Sequence, residues 1–241
     1  MQGYRLSPQQ SQLWSLQRDA RNYMAQCAVM LAGELRPERL RAALEHVMVR
    51  HQILRTRFQP QAGFKLPLQV IGHSGELIWQ EIGAPGLSGR EQQARIDEVF
   101  EFDGRQSFDL QSGRLLRATL INFSTSTHAL IISLPSLCAD ALSLINLVHE
   151  LSRYYAAAPD KEVFDEPTQY VQFSEWQNEL LDSDNAEAAK EFWRQQDLNS
   201  LPPLTVPFER KPAVDANYQP ASLTLPLDSD LAAELNVMAE R

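Results

Sequence analysis

Apolar and polar residues along this chain follow two periods, near 3.6 and near 2, and the switches between them mark the elements. Ser7-Pro8-Gln9-Gln10 predicts a helix start, with Ser7 as cap, Pro8 at the first helical position and Gln10 completing a capping box; Leu13, Trp14 and Leu16 supply its apolar side. Strand character follows over 27–35, then Pro37 opens a helix whose Leu40, Ala43, Leu44 and Val47 share a face. Stretches 53–58, 68–71 and 77–82 read as strands, 83–86 as a turn and 88–100 as a helix. A turn-rich run over 107–113 leads into a strand over 115–123. A polar hairpin over 124–127 then enters the compact apolar run Ala129-Leu130-Ile131-Ile132-Ser133-Leu134, a buried strand.

The next helix is expected to bury Leu144, Ile145, Val148, Leu151 and Tyr155, and to end at 157–160; two more helices are expected over 168–181 and 185–196. Prolines 202, 203, 207 and 212 break helix, so 201–220 reads as an extended linker between a lobe over 1–200 and the start of a second over 221–241. A strand over 221–227 and a helix capped by Asp228 are expected there. That helix reaches Arg241 with its apolar face newly begun, the pattern of a fragment of a larger protein. The irregular interleaving of strands and helices predicts an α+β fold, a mixed sheet covered by helices.

Composition narrows the function classes. No apolar run approaches the ~20 residues of a membrane helix, and Met1-Gln2-Gly3-Tyr4-Arg5 lacks a signal core, so a cytoplasmic setting is expected. Two cysteines, Cys27 and Cys138, make neither a disulfide framework nor a metal spacing, and no metal is expected. The net charge of −9 is uneven: residues 1–60 carry nine Arg against four acidic residues, and 140–195 carry twelve acidic against four basic. No nucleic-acid motif accompanies the arginines, which sit in periodic apolar segments, so nucleic acid is not an expected partner.

Four stretches carry a resemblance. Ser7-Pro8-Gln9-Gln10-Ser11-Gln12-Leu13-Trp14-Ser15-Leu16 is similar to the first motif, Ser-x-Ala-Gln-x-Arg-Leu-Trp-x-Leu, of the condensation domains of nonribosomal peptide synthetases, in the chloramphenicol-acetyltransferase-like superfamily. Arg50-His51-Gln52-Ile53-Leu54-Arg55-Thr56-Arg57-Phe58 is similar to the second motif and departs only at Gln52. Tyr170-Val171-Gln172-Phe173-Ser174-Glu175-Trp176 aligns loosely with the fourth. By position, Leu134-Pro135-Ser136-Leu137-Cys138-Ala139-Asp140-Ala141 resembles the active-site loop His-His-x-x-x-Asp-Gly, with Pro135 and Ser136 at the histidines, Asp140 kept and Ala141 at the glycine.

The resemblance implies the N-terminal lobe of a two-lobed domain. On that resemblance, carrier proteins are expected to deliver phosphopantetheine arms to it, with no cofactor bound directly and an adenylation domain beside it. It also implies a loop without its histidine. Imidazole suits the work because it titrates near neutrality; a serine hydroxyl needs a base beside it to become a nucleophile. His46, His51, His73, His128 and His149 all lie outside the loop. Cys138 has no adjacent cation in sequence and reads as a packing residue. The resemblance pairs Asp140 with Arg55, Arg57 being the other candidate, and makes Ala141 strained if the glycine it replaces is left-handed. Pro135 either shapes the strand end or redirects the loop. Three functions follow: a noncanonical condensation-like domain that binds tethered intermediates or acts as a structural module; an acyltransferase joining carrier-bound thioesters without histidine; and a stand-alone binding protein of this fold.

Overall fold

The computed structural model describes residues 2–16, 23–157, 165–197, 200–202, 207, 223 and 225–239. In chain order these form β1 (Gly3–Tyr4), α1 (Pro8–Leu16), β2 (Met24–Ala32), α2 (Pro37–Arg50), a 3-10 turn (Gln52–Arg55), β3 (Thr56–Gln59), β4 (Leu68–Ile71), β5 (Leu77–Gly83), α3 (Gly89–Gly104), β6 (Leu116–Asn122), β7 (Thr127–Pro135), α4 (Ala141–Ala156), α5 (Tyr170–Asp182), α6 (Asn185–Gln195) and α7 (Ser229–Ala239). The chain divides into two compact units, Met1–Trp193 and Arg194–Arg241.

The first unit holds two sheets. One has the order β1-β4-β3, all antiparallel; the other has the order β2-β7-β6-β5, with β5 and β6 parallel and the rest antiparallel. Parallel neighbours need a long crossover, and α3 provides it. Strand β7 lies inside the larger sheet and is buried on both faces, which is why its sequence is continuously apolar rather than alternating. Its even residues Leu130, Ile132 and Leu134 meet Leu40, Leu44 and Val47 of α2 and Leu144, Leu147 and Leu151 of α4. Its odd residues Ala129 and Ile131 meet Ile96 and Val99 of α3. A third cluster, Leu6, Phe58, Phe108, Leu110, Leu115 and Leu137, lies under the loop that follows β7.

The expected α+β class and helix-covered mixed sheet are found. Differences are local. The stretch 53–58 is half 3-10 turn and half strand, because Thr56 Oγ1 donates to the Gln52 carbonyl (2.8 Å) and Leu54 N–H to the His51 carbonyl (3.0 Å) before β3 begins. On α4, Ile145 is 64% exposed, and Leu144, Leu147 and Leu151 form the buried row. The expected strand over 221–227 is absent among the described residues 223 and 225–227; positions 221, 222 and 224, the 158–160 end of the α4 region and most of 201–220 lie outside them. In the second unit, Asp228 caps α7 as expected, accepting from the Asp230 N–H at 2.8 Å. Among the described residues no helix is long and apolar enough to cross a membrane.

Candidate functional site

The loop between β7 and α4 is a tight turn closed at each end. Cys138 N–H donates to the Pro135 carbonyl (2.8 Å), and Ser136 N–H donates to the Tyr23 carbonyl (2.8 Å). The second bond explains why a proline is tolerated in an interior strand. Successive N–H groups point to opposite neighbours, so Pro135 lacks the one that would face β6, whose pairing with β7 ends at Arg117 and Ser133. Pro135 therefore shapes the strand end.

Asp140 is the N-cap of α4. Its Oδ1 accepts from the Ser143 N–H at 2.8 Å and the Ser143 hydroxyl at 2.7 Å, and these bonds hold its carboxyl below the usual aspartate range. The expected pair with Arg55 is not formed: among the described residues no ion pair joins Asp140 to Arg55 or to Arg57. Arg55 instead donates through Nη1 to the Gly72 carbonyl, and among the described residues its buried Nε has no hydrogen-bond partner. Two local donors already satisfy the Asp140 oxygen, which leaves it facing water at the start of α4. Ala141 is the first helical residue after the cap, a right-handed position that costs alanine nothing, so the expected strain does not arise.

Cys138 packs into the cluster around Phe58 and Leu137, and burial pushes its thiol up, away from the thiolate a nucleophile needs. Ser136 is half-buried. Among the described residues none of the five imidazoles hydrogen-bonds its hydroxyl. His51 Nε2 is engaged with Glu150 Oε2 (2.8 Å) and His128 Nδ1 with Asn122 Oδ1 (2.7 Å), while His46 stacks on Tyr154 with ring centroids 5.5 Å apart. His73 and His149 are both exposed.

A buried amide network beneath the loop joins the distant motifs. Gln10 donates through Nε2 to the Leu137 carbonyl (2.9 Å) and to Gln69 Oε1 (3.1 Å), and its Oε1 accepts from the Ser7 N–H (3.0 Å). Gln69 Nε2 donates to the Arg5 carbonyl (2.9 Å) and to Ser174 Oγ (3.4 Å). The Ser7 hydroxyl meets the Tyr170 hydroxyl at 2.7 Å; burial raises the Tyr170 phenol, with that bond opposing. Ser7, Gln10, Gln69 and Ser174 are each no more than 1% exposed. The first and fourth motifs thus meet under the loop. Sequence reading finds the Ser7–Gln10 capping box and misses the inward role of the Gln10 amide. Gln69 carries a signal: a glutamine within Leu68-Gln69-Val70-Ile71 has to find hydrogen-bond partners if that strand is buried.

Replacing Asp140 by alanine is expected to cost about 1 kcal/mol, the worth of an N-cap. With the cap as the only role, the Asp140→Ala and Arg55→Ala losses add in a double-mutant cycle. A carboxyl with a depressed folded-state pKa stabilises above its unfolded pKa, and that stability goes as pH falls through the folded one. Acid titration should therefore narrow the gap between wild type and Asp140→Ala. Strong coupling to Arg55 in urea melts would restore the ion pair.

Comparison with known proteins supplies the family context. The family model described as Condensation domain matches residues 1–241. The chain is 30% identical over 242 residues to chondramide synthase cmdD of Chondromyces crocatus, covering 98% of this chain and 6% of that protein. It is similar to the X-domain from teicoplanin biosynthesis (26% identity, TM-score 0.70, 86% of this chain and 46% of that one), a domain also solved in complex with OxyB. The condensation domain of monacolin K polyketide synthase shares the fold (18% identity, TM-score 0.74, 100% of this chain and 55% of that one). The chain thus spans a small fraction of the synthase it matches and about half of these solved domains.

Proposed function

From the premise that this chain belongs to the condensation-domain family, we propose that it is the N-terminal part of a noncanonical condensation-like domain. The domain serves a nonribosomal peptide synthetase in secondary-metabolite biosynthesis, in the cytoplasm, and holds intermediates tethered to carrier proteins without histidine catalysis. Residues 1–200 form its N-terminal lobe, 201–220 its linker and 221–241 the first part of its second lobe. Its partners are the phosphopantetheine arms of carrier proteins and an adjacent adenylation domain.

One observation carries the reading. Ser136, the residue at the catalytic histidine's position, has no base against its hydroxyl among the described residues, yet the loop around it is fully built. A serine hydroxyl without a base is neither nucleophile nor proton acceptor at neutral pH. The likeness to the X-domain supports a binding role, since that domain forms a complex with OxyB.

The test supplies donor- and acceptor-loaded carrier proteins and follows condensed product by intact mass. No product is expected, while NMR titration of the loaded carriers shows binding. Product that vanishes in Ser136→Ala would replace this reading with histidine-independent catalysis through Ser136. Equal product from both proteins would also overturn it, and would assign turnover to proximity alone.

A further inference from the structure

We propose that Gln10 is the positioning residue of the Pro135–Ala141 loop, setting the direction in which Ser136 faces the tethered substrate. The role of Ser136 rests on the function proposed above; the role of Gln10 in the loop does not. Ser136 sits between two fixed points, its own N–H on the Tyr23 carbonyl and the next residue's carbonyl on Gln10 Nε2. Among the described residues, Gln10 is the one side chain from outside the loop that hydrogen-bonds a backbone group of 136–139.

Its geometry admits one orientation. Both Nε2 protons go to oxygens, those of Leu137 and Gln69, and Oε1 takes the Ser7 N–H, so flipping the amide would break three bonds together. The Ser7 N–H belongs to the capping box of α1, and the Gln69 contact belongs to β4. Gln10 therefore ties the loop to two rigid elements. Fixing the Leu137 carbonyl fixes the Leu137–Cys138 peptide plane, whose N–H closes the turn onto Pro135. Without that bond, the Leu137 carbonyl has to leave the interior to find water, and the turn carrying Ser136 moves with it.

A variant pair separates positioning from plain stability. Gln10→Met keeps an unbranched side chain of similar volume and removes both donors. Gln69→Met removes three bonds of the same network and leaves the Gln10–Leu137 bond standing. Hydrogen exchange read on peptides covering 132–145 is expected to speed up about tenfold in Gln10→Met, the scale of one buried hydrogen bond, and to stay near wild type in Gln69→Met. NMR titration of loaded carrier should show about tenfold weaker binding in Gln10→Met alone. Unchanged loop exchange in Gln10→Met, or equal acceleration in both variants, would overturn the proposal. If Gln10→Met does not fold, Gln10→Asn, whose amide is one methylene too short to reach Leu137, is read in the same way. A wild type that binds no carrier would defeat the proposed function and leave the exchange result to decide Gln10.

Discussion

Phe58→Ala is expected to lose about 3–5 kcal/mol of folding stability, the cost of emptying a large, well-packed aromatic site. Phe58 is fully buried, stacks on Trp14 with centroids 6.5 Å apart, and shares its cluster with Leu6, Leu110, Leu115 and Leu137. Its backbone N–H donates to the Leu110 carbonyl at 2.9 Å, so β3 and the turn before β6 are joined at the same residue. The cavity would open directly under the loop, because Leu137 packs in that cluster and its carbonyl is held by Gln10. Small domains have net stabilities of roughly 5–15 kcal/mol, so this single change removes a large share. Urea melts should show a lower midpoint with an unchanged slope, and any carrier binding should fall with it. A loss below about 1 kcal/mol, far under the usual cost of such a truncation, would mean that the cluster collapses onto the vacancy and that the loop does not depend on Phe58.

That dependence clarifies what the sequence could and could not disclose. The continuous apolar run of β7 and the 3.6-period faces of α2 and α4 are local patterns imposed by burial, and they suffice to place the loop between a strand and a helix. Side-chain direction at the loop is harder to read. Asp140 has two physically sound options, an ion pair with a distant arginine or a cap on the helix beginning one residue later. The structure takes the local one, because Ser143 brings two donors at no cost in chain closure. Ile145 is misplaced for a related reason. Leu144, Ile145, Leu147 and Val148 are all apolar, so periodicity alone does not decide which pair turns inward. At Gln69 the sequence signals a need for partners, but it does not disclose that Gln10 is one of them, because the two are 59 residues apart.

The second large effect is expected at Glu150. Its Oε2 lies 2.8 Å from His51 Nε2 and 3.4 Å from Arg50 Nε, with the Arg50 and Glu150 side chains only 14% and 15% exposed. Removing one member of a shielded pair leaves the other charge in poorly solvated surroundings, so Glu150→Ala should cost about 2–3 kcal/mol, somewhat less than for a fully buried pair. Glu150→Gln keeps the shape and an acceptor for His51 while removing the charge, and should recover part of the loss. The geometry makes Arg50-His51 a brace: it joins the end of α2 to α4, and Gln169 Nε2 holds the Arg50 carbonyl from the start of α5 at 3.0 Å. Two of the most motif-like residues in the chain would then owe their place to holding α4, and with it the loop at its head, in register with the sheet. Thermal and urea melts of the two variants decide this. If Glu150→Ala leaves stability untouched and abolishes carrier binding, Arg50 and His51 belong to a binding surface and the brace is wrong.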